Sequence, residues 1–386
     1  MKKVLFSIVT LLMMGTSIMF TACSKDDNKG GGEEDNKKEE ALAIVNKNYV
    51  NNTVIATYKG LATASEDLAI TIGGIKSDAD VEKACNIWKT SRQYWEWSEA
   101  FLFGAASNYS IDPHIDTWPF DRAAFDKYMA KYRPATDEDD AAIIDEAIAT
   151  GQNLTGFHAV EYLLFRDGKP RKLSEITDDE LYFMTSAATD LFLNACRLEA
   201  AWAGIDNIPT LHASLLEETE MEPADNFGEE FVNAGQKGSR WASATLASVQ
   251  IIEGAQDIIG EVRDAKIGSP ATGEDPNYIE SPHAYNSIQD FYDNTMSCVH
   301  AMYGNMNVTA PTTTPAAGSL MAYCTTNYPK ETTVAYEAFV NALKAVDSMK
   351  KPFVLNFNDA SAKAAMEALD ELDGALDDLK TALLKD

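Results

Sequence analysis

The sequence predicts an all-α protein of two helical bundles. Three observations carry this. From Ala41 onward apolar residues recur at helical spacing, as in Leu42, Val45, Tyr49, Val54, Tyr58 and Leu61. Neither a βαβ rhythm nor an alternating strand series occurs. The second half also repeats the style of the first: "SIQDFYDNTMSCVHAMYG" ends at Gly304 much as "SRQYWEWSEAFLFG" ends at Gly104. With 386 residues, 45% of them hydrophobic, the chain can fill two cores.

Taken in order, the chain opens with Lys2 and Lys3, an apolar run from Val4 to Met19, and "FTAC" from Phe20 to Cys23. A positive start, an apolar middle and small residues before the cut describe a secretory signal. The small pair before Cys23 resembles a lipobox, with Cys23 lipidated as the mature N-terminus. Residues 1–22 thus read as a lipoprotein signal peptide. "SKDD" after Cys23 resembles an export tag of surface lipoproteins, so the expected location is the cell envelope, on the outer membrane. Residues 23–40 are charged and Gly-rich, and read as a solvated tether. No later run reads as a membrane span.

Residues 41–220 then form the first helical domain and 221–386 the second, with the polar stretch "EETEMEPADNFG" as the boundary. "DADVEKACNIWKTSRQYWEWSEAFLFG" opens with an Asp cap and reads as one helix to Gly104. Further helices stop at Gly151 and Gly168, and "DDELYFMTSAATDLFLNACRLEAAWAG" completes the half. In the second half "GSRWASATLASVQIIEGAQDIIGEVRDAKIGSP" reads as a long helix ending at Gly268 and Pro270. "TTVAYEAFVNALKAVDSM" and "DASAKAAMEALDELDGALDDLKTALL" are amphipathic. Cys85, Cys196, Cys298 and Cys324 lack CxxC spacing and read as buried free thiols. Acids outnumber bases 60 to 32, a net charge of -28, which sets a nucleic-acid role aside.

The chemistry starts at "TGFHAVEYLLF", Thr155 to Phe165. His158 and Glu161 lie three apart on a helix apolar all round, which is the pattern of a buried helix. A buried carboxylate without a partner costs several kcal/mol or protonates. Glu161 therefore pairs with His158, meets an Arg from another helix, or shares a cation with His158. Bundle-core metal sites use this Glu/His spacing. In "WKTSRQYWEWSEAFLFG", Glu96 and Glu99 are again three apart, and Arg92 on that face can neutralise either. The aromatic run reads as core packing. "IDPHIDTWPF" is a loop by its two prolines. There Asp112 and His114 read as turn formers, as Asp116 also could.

These segments together resemble the imelysin family. "GFHAVEYLLF" looks like its GxHxxE signature. "WKTSRQYWEWSEAFLFG", "IDTWP", "EVRDAKIGSP", "SIQDFYDNTMSCVHAMYG" and "MKKPF" look like its other landmarks in order, over about residues 41–386. The resemblance implies a two-domain helical fold, each domain close to a four-helix bundle, in envelope proteins often tied to iron supply, a group that also carries a peptidase label. Residue by residue, it implies metal ligands at Glu96, Glu99, Asp116, His158 and Glu161.

Three functions follow. The favoured one is an envelope lipoprotein binding a divalent or ferric cation, iron foremost, or an iron-containing ligand such as haem, for uptake. Its partners would be the outer membrane, through the lipid, and iron-uptake components. An N/O ligand set suits iron, but also zinc, copper or manganese. A metal-dependent peptidase is the second reading; the chain has no HExxH and no evident base beside the HxxE pair. A structural envelope protein with a His158–Glu161 core hydrogen bond is the third.

Overall fold

The computed structural model describes residues 32–131 and 140–385. The signal peptide, Cys23 and the start of the tether lie outside the described residues. Within them the β structure is a single hairpin, Phe165–Arg166 antiparallel to Lys169–Pro170. The remaining regular structure is helical, as the apolar spacing predicts.

The main helices form two rings of four. In the first, Ile55–Gly73, Asp78–Glu96, Gly156–Leu164 and Asp178–Ala203 each pack against two of the others. In the second, Ala244–Glu261, Ser287–Tyr303, Pro329–Asp347 and Ala360–Lys385 do the same. Their apolar faces merge into one contiguous core, in which Trp88, Trp95 and Trp202 are the largest fully buried side chains. Side-chain caps fix several starts: Ser77 accepts from the Asp80 N–H, Thr177 and Glu180 form a capping box, and Ser243 accepts from the Leu246 N–H. Cys85, Cys196, Cys298 and Cys324 are buried free thiols. Among the described residues no helix is long and apolar enough to cross a membrane.

The HxxE helix ends at Leu164, in the hairpin, rather than at Gly168, and Ile111–Ile115 of the proline-containing loop is a short helix. Three larger departures from the sequence reading follow. The first helix starts at Gly32, inside the segment read as tether. Glu39 explains this: its carboxylate accepts from the Ala244 N–H at 2.6 Å and the Thr245 N–H at 3.1 Å, at the start of the Ala244–Glu261 helix. Lys38 donates to the Leu383 carbonyl at 2.7 Å. Charged residues there have specific partners, and Glu and Lys are good helix formers. Second, the helix expected to run to Gly104 stops at Glu96. Ser98 donates to the Trp95 carbonyl at 2.7 Å, and a separate 3-10 turn, Glu99–Phe101, follows. Third, the long helix of the second half continues through a π-helical segment, Val262–Gly268, and stops at Gly273. π segments re-aim side chains, and this one carries Lys266, which is wholly buried.

The halves meet closely at several points, one of them at Gly254. A Cβ on Gly254 would lie 2.2 Å from the Ala100 carbonyl oxygen. The Ala244–Glu261 helix therefore lies directly against the Glu99–Phe101 turn.

Candidate metal centre

His158 reaches the site because its helix starts where only glycine fits. Gly156 has φ +69°, and a Cβ there would lie 2.1 Å from the Ile115 carbonyl oxygen. The helix thus begins in contact with the short Ile111–Ile115 turn, and Asp116 follows that turn directly. His158 Nε2 lies 3.1 Å from Asp116 Oδ1, and Nδ1 lies 3.4 Å from Glu161 Oε2. Burial opposes a charged imidazole, but its hydrogen bonds to Asp116 and Glu161 prevail and hold its pKa at about 9. The ring is an imidazolium at neutral pH. Glu161 turns its other oxygen away: Oε1 accepts from the backbone N–H groups of His283 and Ala284, both at 2.7 Å.

Beside this chain lie two buried cations, Arg92 and Lys266. Burial works against their charge, yet the surrounding carboxylates raise both pKa values. The Arg92 guanidinium contacts Glu96 and Asp116, reaches Glu280 Oε1 at 2.7 Å, and lies 3.8 Å from Asp290 Oδ1. It also lies over the Phe157 ring, 5.2 Å from the centroid. Lys266 Nζ lies 3.0 Å from Glu280 Oε1 and 3.2 Å from Asn294 Oδ1. Asn294 donates to Glu96. Asp116 also accepts from Trp95 Nε1 at 2.6 Å. Burial pushes the Asp116 carboxyl up, but Arg92 and His158 outweigh it and hold its pKa at about 2.

Three carboxylate or carboxylate–imidazole groups converge closely enough to share a cation: Asp116–His158–Glu280, Glu96–Glu280–Asp290 and Glu99–Asp112–Asp116. In each, one ligand atom per residue lies within 4.8 Å of the others. The first two are already occupied by protein charge, because Arg92 contacts Asp116, Glu280 and Glu96 and approaches Asp290. The third is different. Neither the Glu99 nor the Asp112 carboxylate makes a hydrogen bond or ion pair among the described residues. Burial raises the Glu99 pKa well above the ordinary carboxylate range. Burial, with the Asp116 charge beside it, pushes Asp112 up to about 7. An added cation would relieve both, so the donor set fits a hard metal ion.

The residues implied as ligands separate. Asp116 touches His158 and stands in the same group as Glu99. Glu161 touches His158, but its other oxygen holds the backbone of a distant loop. Glu96 does not share a face with Glu99, because the helix ends between them; it turns to Arg92 and Asn294. Asp112 is no mere turn former, since tertiary packing sets it beside Glu99. Nor is His114: its Nε2 lies 2.8 Å from Asp190 Oδ2, away from the centre. Sequence reasoning missed Lys266, Glu280, Asp290 and Asn294. A usable signal existed for two of them: Asp290 and Asn294 are polar residues one turn apart on a helix that is otherwise rich in apolar side chains.

Comparison with known proteins adds four findings. A family model described as Imelysin matches residues 54–383. The chain is 25% identical over 323 residues to "Iron-regulated protein A" of Synechococcus elongatus, covering 83% of this chain and 79% of that protein. A crystal structure described as an iron-regulated protein A precursor from Parabacteroides distasonis superposes with a TM-score of 0.75 at 24% identity, over 89% of this chain and 95% of that one. An imelysin-like protein from Psychrobacter arcticum superposes with a TM-score of 0.56 at 14% identity, over 90% and 94% of the two chains. Both structural likenesses speak to the fold.

Proposed function

This chain belongs to the imelysin family, and from that premise we propose that it is a cell-envelope lipoprotein that binds a hard metal ion, iron above all, as cargo for uptake. One observation supports the site: Glu99, Asp112 and Asp116 converge within 4.8 Å, and among the described residues neither Glu99 nor Asp112 makes an ion pair. Buried carboxylates so placed must either protonate or share a cation. An all-oxygen donor set suits hard ions, which keep several waters as further ligands. The name of the Synechococcus relative favours iron among them.

In this reading the HxxE pair does not ligate the ion. His158, as an imidazolium, orients and neutralises Asp116 from behind, and Glu161 fixes His158 while anchoring the His283–Ala284 backbone. Such outer partners set ligand orientation and tune affinity. Glu96 is taken up by Arg92 and Asn294. Lipid on Cys23 would hold the protein on the outer membrane, beside the iron-uptake components it serves.

Elemental analysis of protein purified without chelators tests the site. Wild type should carry one ion per chain, Asp112→Asn should lose most of it, and Glu96→Gln should keep it. Full metal retention in Asp112→Asn, with loss in Glu96→Gln, would place the ion elsewhere.

A further inference from the structure

Glu99 belongs to the carboxylate cluster and also lines a small cavity of about 70 Å³, with walls that include Leu102, Phe103, Asp257, Ile258 and Glu261. One water needs roughly 10–15 Å³ by the same kind of measure, so the space admits an ion with part of its hydration shell. Positions 254, 257, 258 and 261 lie on one face of the Ala244–Glu261 helix. Gly254 lets that face close on the Glu99–Phe101 turn. The acids differ in depth. Asp257 is exposed, and the Glu261 side chain is 43% exposed. Glu99 is 6% exposed and has no hydrogen bond or ion pair among the described residues.

We propose that Asp257 and Glu261 form the mouth of a cation port whose inner end is Glu99: the exposed pair captures the hydrated ion, and Glu99 passes it to Asp112 and Asp116. This rests on the cation-binding reading above. Leu102, Phe103 and Ile258 supply low-dielectric walls, which concentrate the field of the acids along the passage and raise the local concentration of cations. Lys266 Nζ, 3.8 Å from Glu261 Oε1, marks the inner side of the passage, and its charge also acts on Glu99.

The test uses terbium(III), a hard trivalent ion whose emission is sensitised by a nearby indole; Trp95 Nε1 lies 2.6 Å from Asp116 Oδ2. Stopped-flow mixing would compare wild type, the Asp257→Asn/Glu261→Gln double variant and Glu99→Gln, each checked for folding by circular dichroism. The double variant should bind the same number of ions as wild type, with an association rate roughly tenfold lower at low salt. That gap should narrow at about 0.5 M salt, where screening acts over a few ångströms. Glu99→Gln should lose the sensitised signal. A double variant that binds at the wild-type rate at low salt would overturn the port while leaving the site intact. If wild type gives no saturable emission, the cation-binding reading fails and takes the port with it.

Discussion

At the scale of residues, Glu161 does two jobs with two oxygens. Oε2 faces His158, and Oε1 satisfies one part-buried and one buried backbone donor from a loop more than a hundred positions away. Truncation therefore leaves two N–H groups without a partner, each costing roughly 1–3 kcal/mol. Glu161→Ala should lose roughly 2–6 kcal/mol in urea denaturation, by the same amount with and without metal. Asp112 behaves oppositely. Its folded pKa of about 7 lies above its ordinary 3.8, so the folded state holds the extra proton. The Asp112 contribution to apo stability is therefore fully present below about pH 3.8 and lost as pH rises through about 7. Cation binding has the reverse sign, because it must displace that proton. Affinity measured by competition with a metal indicator should fall about tenfold per pH unit below 7 for one displaced proton. The burial of the His158–Glu161 pair was legible in the sequence, because its helix is apolar on every side. Of the partners of the pair, Asp116 was indicated only by the family resemblance, and His283 and Ala284 not at all, because they arrive from loops, whose positions no periodicity encodes. Asp112 was misread because an Asp before a proline satisfies a local turn rule, and only tertiary packing brings it to Glu99.

At the scale of elements, the site depends on where helices stop. Had the Asp78–Glu96 helix run on to Gly104, Glu96 and Glu99 would share one face beside Arg92. The break at Trp97 and Ser98 gives Glu96 to the cation network and Glu99 to the acidic cluster. That break was hidden in the sequence, since the aromatic and polar residues around it continue an amphipathic pattern. The π-helical Val262–Gly268 segment was equally hidden, and it carries Lys266 into the core. The glycine stop at Gly304 was legible, because capping is local chemistry, but the cap expected at the Asp of "DADV" is instead Ser77, one residue earlier. Glu39 yields a further prediction at this scale. It holds two N–H groups at the start of the Ala244–Glu261 helix, the helix that carries Asp257 and Glu261. Glu39→Ala should cost about 1–2 kcal/mol. Deletion through residue 31 should leave the melting temperature unchanged, whereas deletion through residue 40 should lower it.

At the scale of the whole molecule, two rings of four helices supply a rigid frame, and the centre draws on both. His158, Asp116, Glu99 and Arg92 come from the first half of the chain, Lys266 and Glu280 from the second. Two helical bundles were legible from apolar spacing; that each holds four helices was implied only by the family resemblance. Their joining through one buried charge network was not, because its ion pairs span up to 198 positions in the chain. The central claim is that Glu99, Asp112 and Asp116 hold a cation that stabilises this native arrangement only. Binding to the native state alone adds about 2.7 kcal/mol at a hundredfold excess over the dissociation constant. The direct measurement is anaerobic urea denaturation of wild type and Glu99→Gln, with and without ferrous iron. Iron should raise wild-type stability by about that amount and leave Glu99→Gln unmoved. An equal iron-dependent gain in both proteins, or none in wild type, would contradict the account.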